Sequence, residues 1–305
     1  MKKWLVRKPQ KEFAEKILRE SEVTPLCADI LAARGFTSAE DAAKQLNSDG
    51  LSDPFLLKDM REAADIINDA VENFESICIY GDYDCDGITS TVILFSYLEC
   101  MGANVTYYIP ERSEGYGLNA DAVRELAKRG VNLIITVDNG ISAIEESKLI
   151  YELGMRLVVT DHHQPGDELP QAEAVVDPHR KDCPSTFKYL CGAGVALKLV
   201  AALENGDYET ALNEYGEFAA MGTVADVVSL TGENRYIVSN GLRLLENSER
   251  PGVNALIKKS GLKFPLTSAS LAFGLAPRIN ASGRFGSPSL AARLFITDDE
   301  TEALM

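Results

Sequence analysis

Features of secreted, membrane-spanning and disulfide-bonded proteins are scarce in this sequence. No apolar run approaches the ~20 residues that a transmembrane helix needs, and residues 1–8 contain no long apolar core of the kind found in secretion signals. The six cysteines are scattered and include no C-x-x-C pair. Because isolated thiols are typical of reducing compartments, we expect a cytoplasmic protein with free cysteines and no contact with a membrane.

Basic residues are also few. The 305 residues include 30 Lys and Arg against 46 Asp and Glu, which gives a formal net charge of −16 at pH 7. Surfaces that bind nucleic acid broadly are usually basic, so this balance argues against such a surface while leaving room for a local basic groove. The hydrophobic fraction of 46% is ordinary for a soluble globular protein of one large domain or two smaller ones.

The hydrophobic pattern predicts an α/β fold. Apolar runs of strand length alternate with helix-length segments, which is typical of a parallel sheet with helices on both faces. The predicted strands are 77–80, 105–109, 133–137 and 156–160, with helices at 88–101, 119–129 and 141–153 and a short apolar run at 174–176. Short helices are predicted within 11–47, one with a capping box at Thr37–Glu40, and an amphipathic helix at 59–74. After residue 180 the pattern is helical, at 194–203, 209–221, 235–245, 253–260 and 268–275.

An acidic loop lies between the first predicted strand and its helix. Asp82, Asp84 and Asp86 are spaced two apart and followed by Gly87. Three carboxylates this close repel one another unless a cation lies among them, which indicates a divalent metal site. The spacing also matches half of an EF-hand calcium loop, but its twelfth position is Ile93 instead of Glu and a strand precedes it. A solvated turn is the third interpretation.

Other predicted strands also end on polar side chains. These residues are Asp138, Asp161, His162, His163 and His179. Ligands bind outside the carboxyl ends of parallel strands, so these side chains are candidates for one site. The chain has three histidines in all, and their clustering near strand ends favours metal ligation over a structural role.

Three further features of the sequence have a functional and a structural interpretation. Asp226 lies in an apolar segment, where it is either a ligand, a helix cap or half of a buried ion pair. The segment 276–284 is small, polar and basic, which suits either a phosphate-binding loop or a plain turn. Cys85 occupies an alternate position in the acidic loop, so an extended backbone would point its thiol away from the ligands.

Together these motifs resemble those of the DHH phosphoesterases. The motifs are Asp82-Tyr83-Asp84-Cys85-Asp86-Gly87, Val137-Asp138-Asn139-Gly140, Asp161-His162-His163 and Ala225-Asp226-Val227. Their spacing, together with the segment 278–284, is similar to that of the exonucleases of this superfamily that are specific for single-stranded DNA. The resemblance covers nearly the whole chain, and the motifs in this order are highly specific.

The resemblance implies a parallel αβα domain followed by helices. It divides the chain into an N-terminal helical segment (1–75) that packs on the core, a catalytic domain (76–297) and the beginning of a linker helix (298–305). Within the catalytic domain, the αβα part is expected at about 76–180 and the helical part at about 181–297. Exonucleases of this kind continue into a second, DHH-associated domain, which we expect to be absent from this chain.

The resemblance also implies a chemistry. Enzymes of this kind use two Mn²⁺ or Mg²⁺ ions to release 5′-mononucleotides from single-stranded DNA in the 5′→3′ direction, in DNA repair and recombination. The implied metal ligands are Asp82, Asp84, Asp86, Asp138, His162 and Asp226. Catalytic roles are implied for His163, for Asp138 as the bridge between the ions and for Asp82, whereas Asp161 is expected to orient its neighbouring histidines.

Substrate contacts follow from the same resemblance. Arg112 is expected to meet the 5′ end, and the implied contacts near the metals are Arg278, Asn280, Ser282 and Gly283. Tyr107, Tyr108 and Tyr116 are either base-stacking residues or parts of the core and rim, and 115–117 is a candidate substrate loop. The expected partners are 5′-phosphorylated single-stranded DNA and single-strand-binding or repair proteins.

Two alternative functions occur on the same fold. A phosphoesterase of small substrates (an oligoribonuclease, a cyclic-dinucleotide phosphodiesterase or a pyrophosphatase) uses the same metal ligands, so the aspartates do not discriminate. A non-catalytic replication scaffold keeps the fold without the ligands, whereas every motif ligand is present here.

If the resemblance holds, replacing Arg112 with alanine should weaken the preference for strands that carry a 5′-phosphate, because a cation that meets the 5′ end is lost. The measurement is the ratio of the initial degradation rates of 5′-phosphorylated and 5′-hydroxyl strands of one sequence. An unchanged ratio would remove Arg112 from the substrate site.

Overall fold

A parallel sheet forms the centre of the protein. The structure, a computed structural model, describes residues 5–46, 50–285 and 287–305. The strands are β1 (Ile77–Tyr80), β2 (Val105–Tyr108), β3 (Leu133–Val137), β4 (Arg156–Thr160) and β5 (Ala174–Val176). They form one five-stranded sheet in the order β2-β1-β3-β4-β5, and every pair is parallel. The predicted α/β class is thereby confirmed.

Helices surround and follow the sheet. In chain order they are α1 (Lys11–Glu20), α2 (Pro25–Ala33), α3 (Ala39–Leu46), α4 (Met60–Glu72), α5 (Cys85–Cys100), α6 (Ala120–Lys128), α7 (Ile144–Glu152), α8 (Gly192–Leu203), α9 (Tyr208–Ala225), α10 (Gly232–Glu246), α11 (Pro251–Ser260), α12 (Ser268–Ser270), α13 (Ala276–Phe285), α14 (Ser289–Ile296) and α15 (Glu300–Leu304). Two 3₁₀ turns (Pro54–Leu56 and Arg112–Glu114) and a π-helical turn (Leu271–Leu275) add to them. In the part of the chain that the structure describes, no helix combines the length and apolarity needed to cross a membrane.

The sheet is buried on both faces because successive strand side chains point in opposite directions. In β1, Ile77 and Ile79 join the apolar cluster formed with α4, α5, α8 and α9. Cys78 and Tyr80 join the opposite cluster, to which α6 and α7 contribute. Helices therefore cover both faces, as the near-continuous apolar strands predicted.

The order of the strands creates a crevice at the carboxyl edge of the sheet. From β1 the chain moves outwards to β2, and it then returns to place β3 on the other side of β1. The loops that leave β1 and β3 therefore diverge from neighbouring strands, which is the place where open α/β sheets bind ligands. The acidic loop after β1 and Asp138 after β3 both lie at this edge.

Some element boundaries differ from the predictions. Helix α5 begins at Cys85 instead of residue 88, so Cys85 is helical and its buried side chain belongs to the apolar core. The predicted loop within 276–284 is helix α13. The cap of α3 is formed by Ser38, whose hydroxyl accepts the Asp41 N–H at 3.1 Å, one residue later than the predicted box. Residue 47 of the predicted helical segment lies outside the described residues.

The N-terminal helices have an apolar cluster of their own. Ile17 in α1 and Leu31 in α2 pack with Ala42 in α3, separately from the two clusters on the sheet. In contrast, Leu57 and the apolar face of α4 belong to the main core. The boundaries of the domains remain a prediction.

A buried ion pair ties the helical region to the segment before α4. Lys198 Nζ in α8 lies 2.6 Å from Glu233 Oε2 in α10 and donates to the Ser52 hydroxyl at 2.9 Å. The side chains of Lys198 and Glu233 are only 2% and 9% exposed. Their charges are therefore compensated mainly by each other and by Ser52.

We expect the substitution Lys198→Ala to lower the free energy of unfolding by about 3–5 kcal/mol, because it leaves the Glu233 carboxylate buried without its cation. Lys148→Ala is the matched control, since Lys148 pairs with Glu145 on the surface of α7, where a solvent-exposed pair contributes little to stability. Urea unfolding of the three proteins measures both effects, and equal losses in the two variants would contradict the assignment.

Candidate metal centre

The acidic loop is folded around the start of α5. Asp84 is the N-cap residue, and its Oδ1 accepts the main-chain N–H groups of Asp86 and Gly87 at 2.9 and 3.0 Å. A Cβ atom at Gly87 would lie 2.6 Å from the Asp82 Cβ, so the turn requires glycine there. The loop joins a strand to a helix, and Ile93 is buried within that helix, so the EF-hand interpretation was wrong.

Asp86 is held by the first turn of another helix. Its Oδ2 accepts the Gly192 N–H at 2.7 Å, and its Oδ1 accepts the Ala193 N–H at 2.9 Å. These are otherwise unpaired amides at the N-terminus of α8, where the helix dipole favours a negative charge. The sequence interpretation missed this contact; the glycine-containing start of an apolar helix, Gly192-Ala193-Gly194, was the available signal.

Asp138 lies in the middle of the site. It follows β3 directly with φ of +62°, a left-handed conformation that Asp tolerates better than most residues, and it is buried. A Cβ atom at Gly192 would lie 2.6 Å from Asp138 Oδ1, so α8 approaches this carboxylate only because glycine occupies that position. Asp138 Oδ1 has no hydrogen-bond partner among the described residues.

The His162 ring nitrogen faces three carboxylates. Its Nε2 lies 3.0 Å from Asp138 Oδ1, 3.7 Å from Asp86 Oδ2 and 3.8 Å from Asp226 Oδ2. Asp226 is the C-cap residue of α9, where the negative end of the helix dipole disfavours a carboxylate. Nearby positive charge is therefore needed to stabilise Asp226 in its ionised form.

The candidate ligand atoms form three overlapping groups, each within 4.8 Å. The groups are Asp82, Asp84 and Asp138; Asp86, His162 and Asp226; and Asp138, His162 and His163. All six predicted metal ligands are thus brought together, with Asp138 and His162 each in two groups. The buried and unpaired Asp82 Oδ1, Asp138 Oδ1 and His162 Nε2 are the atoms that a divalent cation would satisfy, so the residues fit a metal.

Burial and mutual repulsion change the proton affinity of these carboxylates. Burial, followed by the charge of Asp84, raises the pKa of Asp82 to about 7. Burial, followed by the charges of Asp86 and Asp84, raises the pKa of Asp226 to about 7. Burial and the same neighbours raise the pKa of Asp138 far above its usual value. A cation among them would offset both causes.

Asp161 organises the histidines. Its Oδ1 accepts the His162 N–H at 2.7 Å and is 2.7 Å from His163 Nδ1, and its Oδ2 accepts the Ile141 N–H at 2.9 Å. Burial acts to raise the pKa of Asp161, but the bonds from His163 and the amides outweigh it and lower that pKa. The same hydrogen bond raises the pKa of His163, which favours its imidazolium form.

A tyrosine hydroxyl completes the surroundings of His163. Tyr116 Oη donates to the Asp138 carbonyl at 2.9 Å and lies 3.1 Å from His163 Nδ1. The sequence interpretation considered Tyr116 as a base-stacking, core or rim residue within a candidate substrate loop, and not as a partner of His163. Of the other two candidates, Tyr107 packs edge-on against Phe95, and Tyr108 stacks on the buried Tyr80, so both take part in packing.

The predicted substrate residues divide between two sides of α13. Asn280 Oδ1 accepts the Cys85 N–H at 2.7 Å, and a Cβ atom at Gly283 would lie 3.7 Å from Arg112 Nε, so these residues adjoin the acidic loop. Arg278 and Ser282 instead line a cavity of about 490 Å³ between α11, α13, α14 and α15. In a helix, positions 278 and 282 face away from 280, a separation that the loop interpretation did not include.

His179 belongs to none of the ligand groups found among the described residues. The clustering of the histidines favoured it as a ligand. Its Nδ1 bonds instead to the main-chain oxygen of His162 at 2.6 Å.

Comparison with known proteins places this site in a family. The model of the "DHH family, N-terminal domain" matches residues 76–223, which include five of the six candidate ligands; the sixth, Asp226, lies just beyond them. Residues 76–223 belong to the DHH family. Within the family, this DHH chain is 43% identical over 305 residues to the "Single-stranded-DNA-specific exonuclease RecJ" of Bacillus subtilis and 36% identical over 298 residues to that of Escherichia coli. The resemblance inferred from the motifs is therefore confirmed.

Solved structures agree with this placement. The DHH chain is similar to RecJ from Thermus thermophilus in complex with Mn²⁺, with a TM-score of 0.82 and 34% identity, over 98% of this chain and 43% of that one. The Mg²⁺ complex of the same protein matches with a TM-score of 0.67. The matches cover 99% of this chain and 38% of the Bacillus relative, and 93% of this chain and 51% of the Escherichia relative. The DHH chain thus spans about half the length of these relatives, or less.

Without metal, the protein should become less stable as the pH rises from about 4 to about 7. Asp82 and Asp226 keep protons in the folded state that the unfolded state releases near pH 4, so the folded state is disfavoured through that window. Asp226→Asn removes one such group and should raise the thermal midpoint of the EDTA-treated protein at about pH 8 with little change at about pH 4. Asp121→Asn, on the surface of α6, is the control. A pH dependence identical in all three proteins would contradict the assignment.

Proposed function

We propose that this chain forms the catalytic part of a two-metal-dependent exonuclease that degrades single-stranded DNA in the 5′→3′ direction. The observation that carries the proposal is the position of Asp138, which belongs to two ligand groups at once. A shared carboxylate between two sets of ligands is the arrangement that two adjacent cations require. The relatives named as single-stranded-DNA-specific exonucleases support the choice of substrate.

The cofactors are two Mn²⁺ or Mg²⁺ ions. Five of the six proposed ligands are aspartates and one is the imidazole of His162; His163 also lies beside Asp138 and His162. Hard oxygen ligands suit these ions, whereas zinc sites of the thiolate type gather several cysteines. The Thermus relative was solved with each of the two ions, which agrees with this choice.

The ions, when bound, would activate a water molecule and neutralise the charge that develops on the leaving oxygen. The protein positions the reacting groups around them. Asp138 lies between the two ligand groups to which it belongs, one with Asp82 and Asp84 and one with His162 and His163. Its position directly after β3 and the close approach of Gly192 hold it there. Asp82 and Asp84 hold one side of the site, whereas Asp86 is oriented by the amides of α8 towards the other.

His163 is the proton-carrying residue in this proposal. Its Nδ1 donates to Asp161 at 2.7 Å, which raises the pKa of the ring and orients its Nε2. A histidine held in this way donates a hydrogen bond to the phosphate or a proton to the leaving oxygen. Its side chain is 44% exposed, so it is accessible to a substrate.

Arg112 is the proposed contact for the 5′ end. Its guanidinium lies 4.3 Å from the centre of the Tyr83 ring, and Tyr83 separates Asp82 from Asp84 in the acidic loop. An exposed arginine at the rim of an acidic centre gives the phosphate backbone a local cationic contact in a chain of net charge −16. Asn280 and Gly283 lie on the same side of the acidic loop as Arg112. Asn280 accepts the Cys85 N–H, and Gly283 lies beside the Arg112 side chain.

The domain division and the cellular setting belong to the same proposal. We assign the N-terminal segment to 1–75, the catalytic domain to 76–297 and the beginning of a linker helix to 298–305, where α15 lies. The cysteines are free thiols, which fits the cytoplasm. DNA repair and recombination are the proposed processes, with single-strand-binding or repair proteins as partners.

Calorimetric titration tests the metal site first. The wild-type protein should bind Mn²⁺, and Asp138→Ala should weaken that binding strongly, because it removes the ligand shared by both groups. Asp121→Ala, which removes an exposed carboxylate, is the matched control. Wild-type protein that does not bind Mn²⁺, or an Asp138→Ala variant that binds it fully, would favour a non-catalytic scaffold.

A substrate comparison then separates the enzyme classes. With Mn²⁺, release of mononucleotides from a 5′-phosphorylated single strand should exceed hydrolysis of dinucleotides, cyclic dinucleotides and pyrophosphate. The reverse order would indicate a small-substrate phosphoesterase. Asp138→Ala serves as the inactive control for every substrate.

A further inference from the structure

His179 contacts the metal centre without belonging to it. Its Nδ1 lies 2.6 Å from the main-chain oxygen of His162. A carbonyl oxygen only accepts hydrogen bonds, so Nδ1 carries the proton and the ring donates. The side chain of His179 is 21% exposed, and the proposed exonuclease mechanism gives it no role.

This contact lies just beyond the end of the hydrogen-bonded pairing of β4 with β5. The pairing of β4 with β5 ends at Thr160 and Val176, and the last main-chain bond is from the Asp161 N–H to the Val176 oxygen. His162 is the next residue, beyond the last of these bonds. Its ring must nevertheless be placed accurately, since Nε2 lies 3.0 Å from Asp138 Oδ1.

Beyond the β-sheet, side chains form the hydrogen bonds to both main-chain groups of His162. Its N–H donates to Asp161 Oδ1 at 2.7 Å, and its carbonyl accepts from His179. Together they hold the peptide units on both sides of the His162 Cα, from which the imidazole projects. A ligand held on both sides loses less conformational freedom when it binds a cation.

His179 is itself anchored in a rigid turn. Its N–H donates to Asp177 Oδ1 at 2.6 Å, and Asp177 is fully buried at the end of β5. The next residue, Arg180, donates to the Val175 carbonyl and forms ion pairs with Asp59 and Asp182. The turn is therefore fixed to the edge of the sheet and to the start of α4.

We propose that His179 is a positioning residue that holds the main chain of His162 so that its Nε2 points at the cations. His179 acts through the hydrogen bond from Nδ1 and does not ligate. The inference rests on the proposed metal site, and it adds a residue from outside the DHH motifs to the machinery of that site.

Three variants of His179 separate this role from a purely structural one. His179→Ala removes the donor. His179→Asn places an amide N–H at the position of Nδ1, whereas the longer side chain of His179→Gln moves that donor one carbon further. Lys181→Ala is the matched control, since Lys181 is exposed in the following stretch and the described residues show no hydrogen bond or ion pair to it. The probe is Mn²⁺ alone, titrated by calorimetry, with the thermal midpoint of each EDTA-treated protein measured in parallel.

We expect about tenfold weaker Mn²⁺ binding in the Ala and Gln variants, as for the loss of other groups that orient a metal ligand. The Asn and Lys181→Ala variants should bind as the wild type does. If the Ala variant does not fold, the Asn and Gln pair decides alone, because both carry the same amide.

Two results would overturn the role of His179: wild-type affinity in the Gln variant, or binding in the Asn variant as weak as in Gln. A lower thermal midpoint with unchanged affinity would leave His179 as a stabilising residue only. Failure of the proposed metal site is separate, since wild-type protein would then not bind Mn²⁺ or would be insensitive to Asp138→Ala.

Discussion

The repulsion among buried carboxylates at the carboxyl edge of the sheet is the constraint on which the rest of the structure depends. Asp82, Asp86 and Asp138 are buried and approach the half-buried Asp84 and Asp226, so water screens the repulsion between their charges only in part. Hydrogen bonds from main-chain amides offset part of this repulsion. The amides at the start of α5 donate to Asp84, and those at the start of α8 donate to Asp86. A cation would offset the remainder, since the carboxylates whose repulsion destabilises the fold are also the ligands that a metal ion prefers.

The second constraint is steric. Helices α8 and α9 reach the carboxylates only because glycine occupies the points of approach. A Cβ atom at Gly222 would lie 2.5 Å from Asp86 Oδ1, and one at Gly192 would lie 2.6 Å from Asp138 Oδ1. The amides of Gly192 and Ala193 can therefore reach Asp86, and α9 can pack closely against the same carboxylate, which a larger side chain at either glycine would prevent. Repulsion and close approach together explain why the centre combines charged residues with the smallest one.

Much of the fold and the site was predictable because both follow from local patterns. Buried parallel strands appear as short apolar runs, and parallel strands end at the same edge, so Asp138 and His162 could be placed together from the sequence. The helix at 276–285 and the contact of the Tyr116 hydroxyl with the Asp138 carbonyl could not, because they involve tertiary contacts, such as the bond from the Cys85 N–H to Asn280, which is 195 residues away in the chain. The N-cap role of Asp84 is local, and the prediction missed it because it began the helix at residue 88.

The position of Asp226 has a consequence for the whole molecule. This residue ends α9 in the helical region, whereas the other carboxylates come from strand ends and from the start of α5 in the αβα part. An ion coordinated by both sets is a cross-link between the two halves, although no covalent bond joins them there. Linkage then requires reciprocity: any motion that draws α9 away from the sheet weakens ion binding, and ion binding opposes that motion to the same extent.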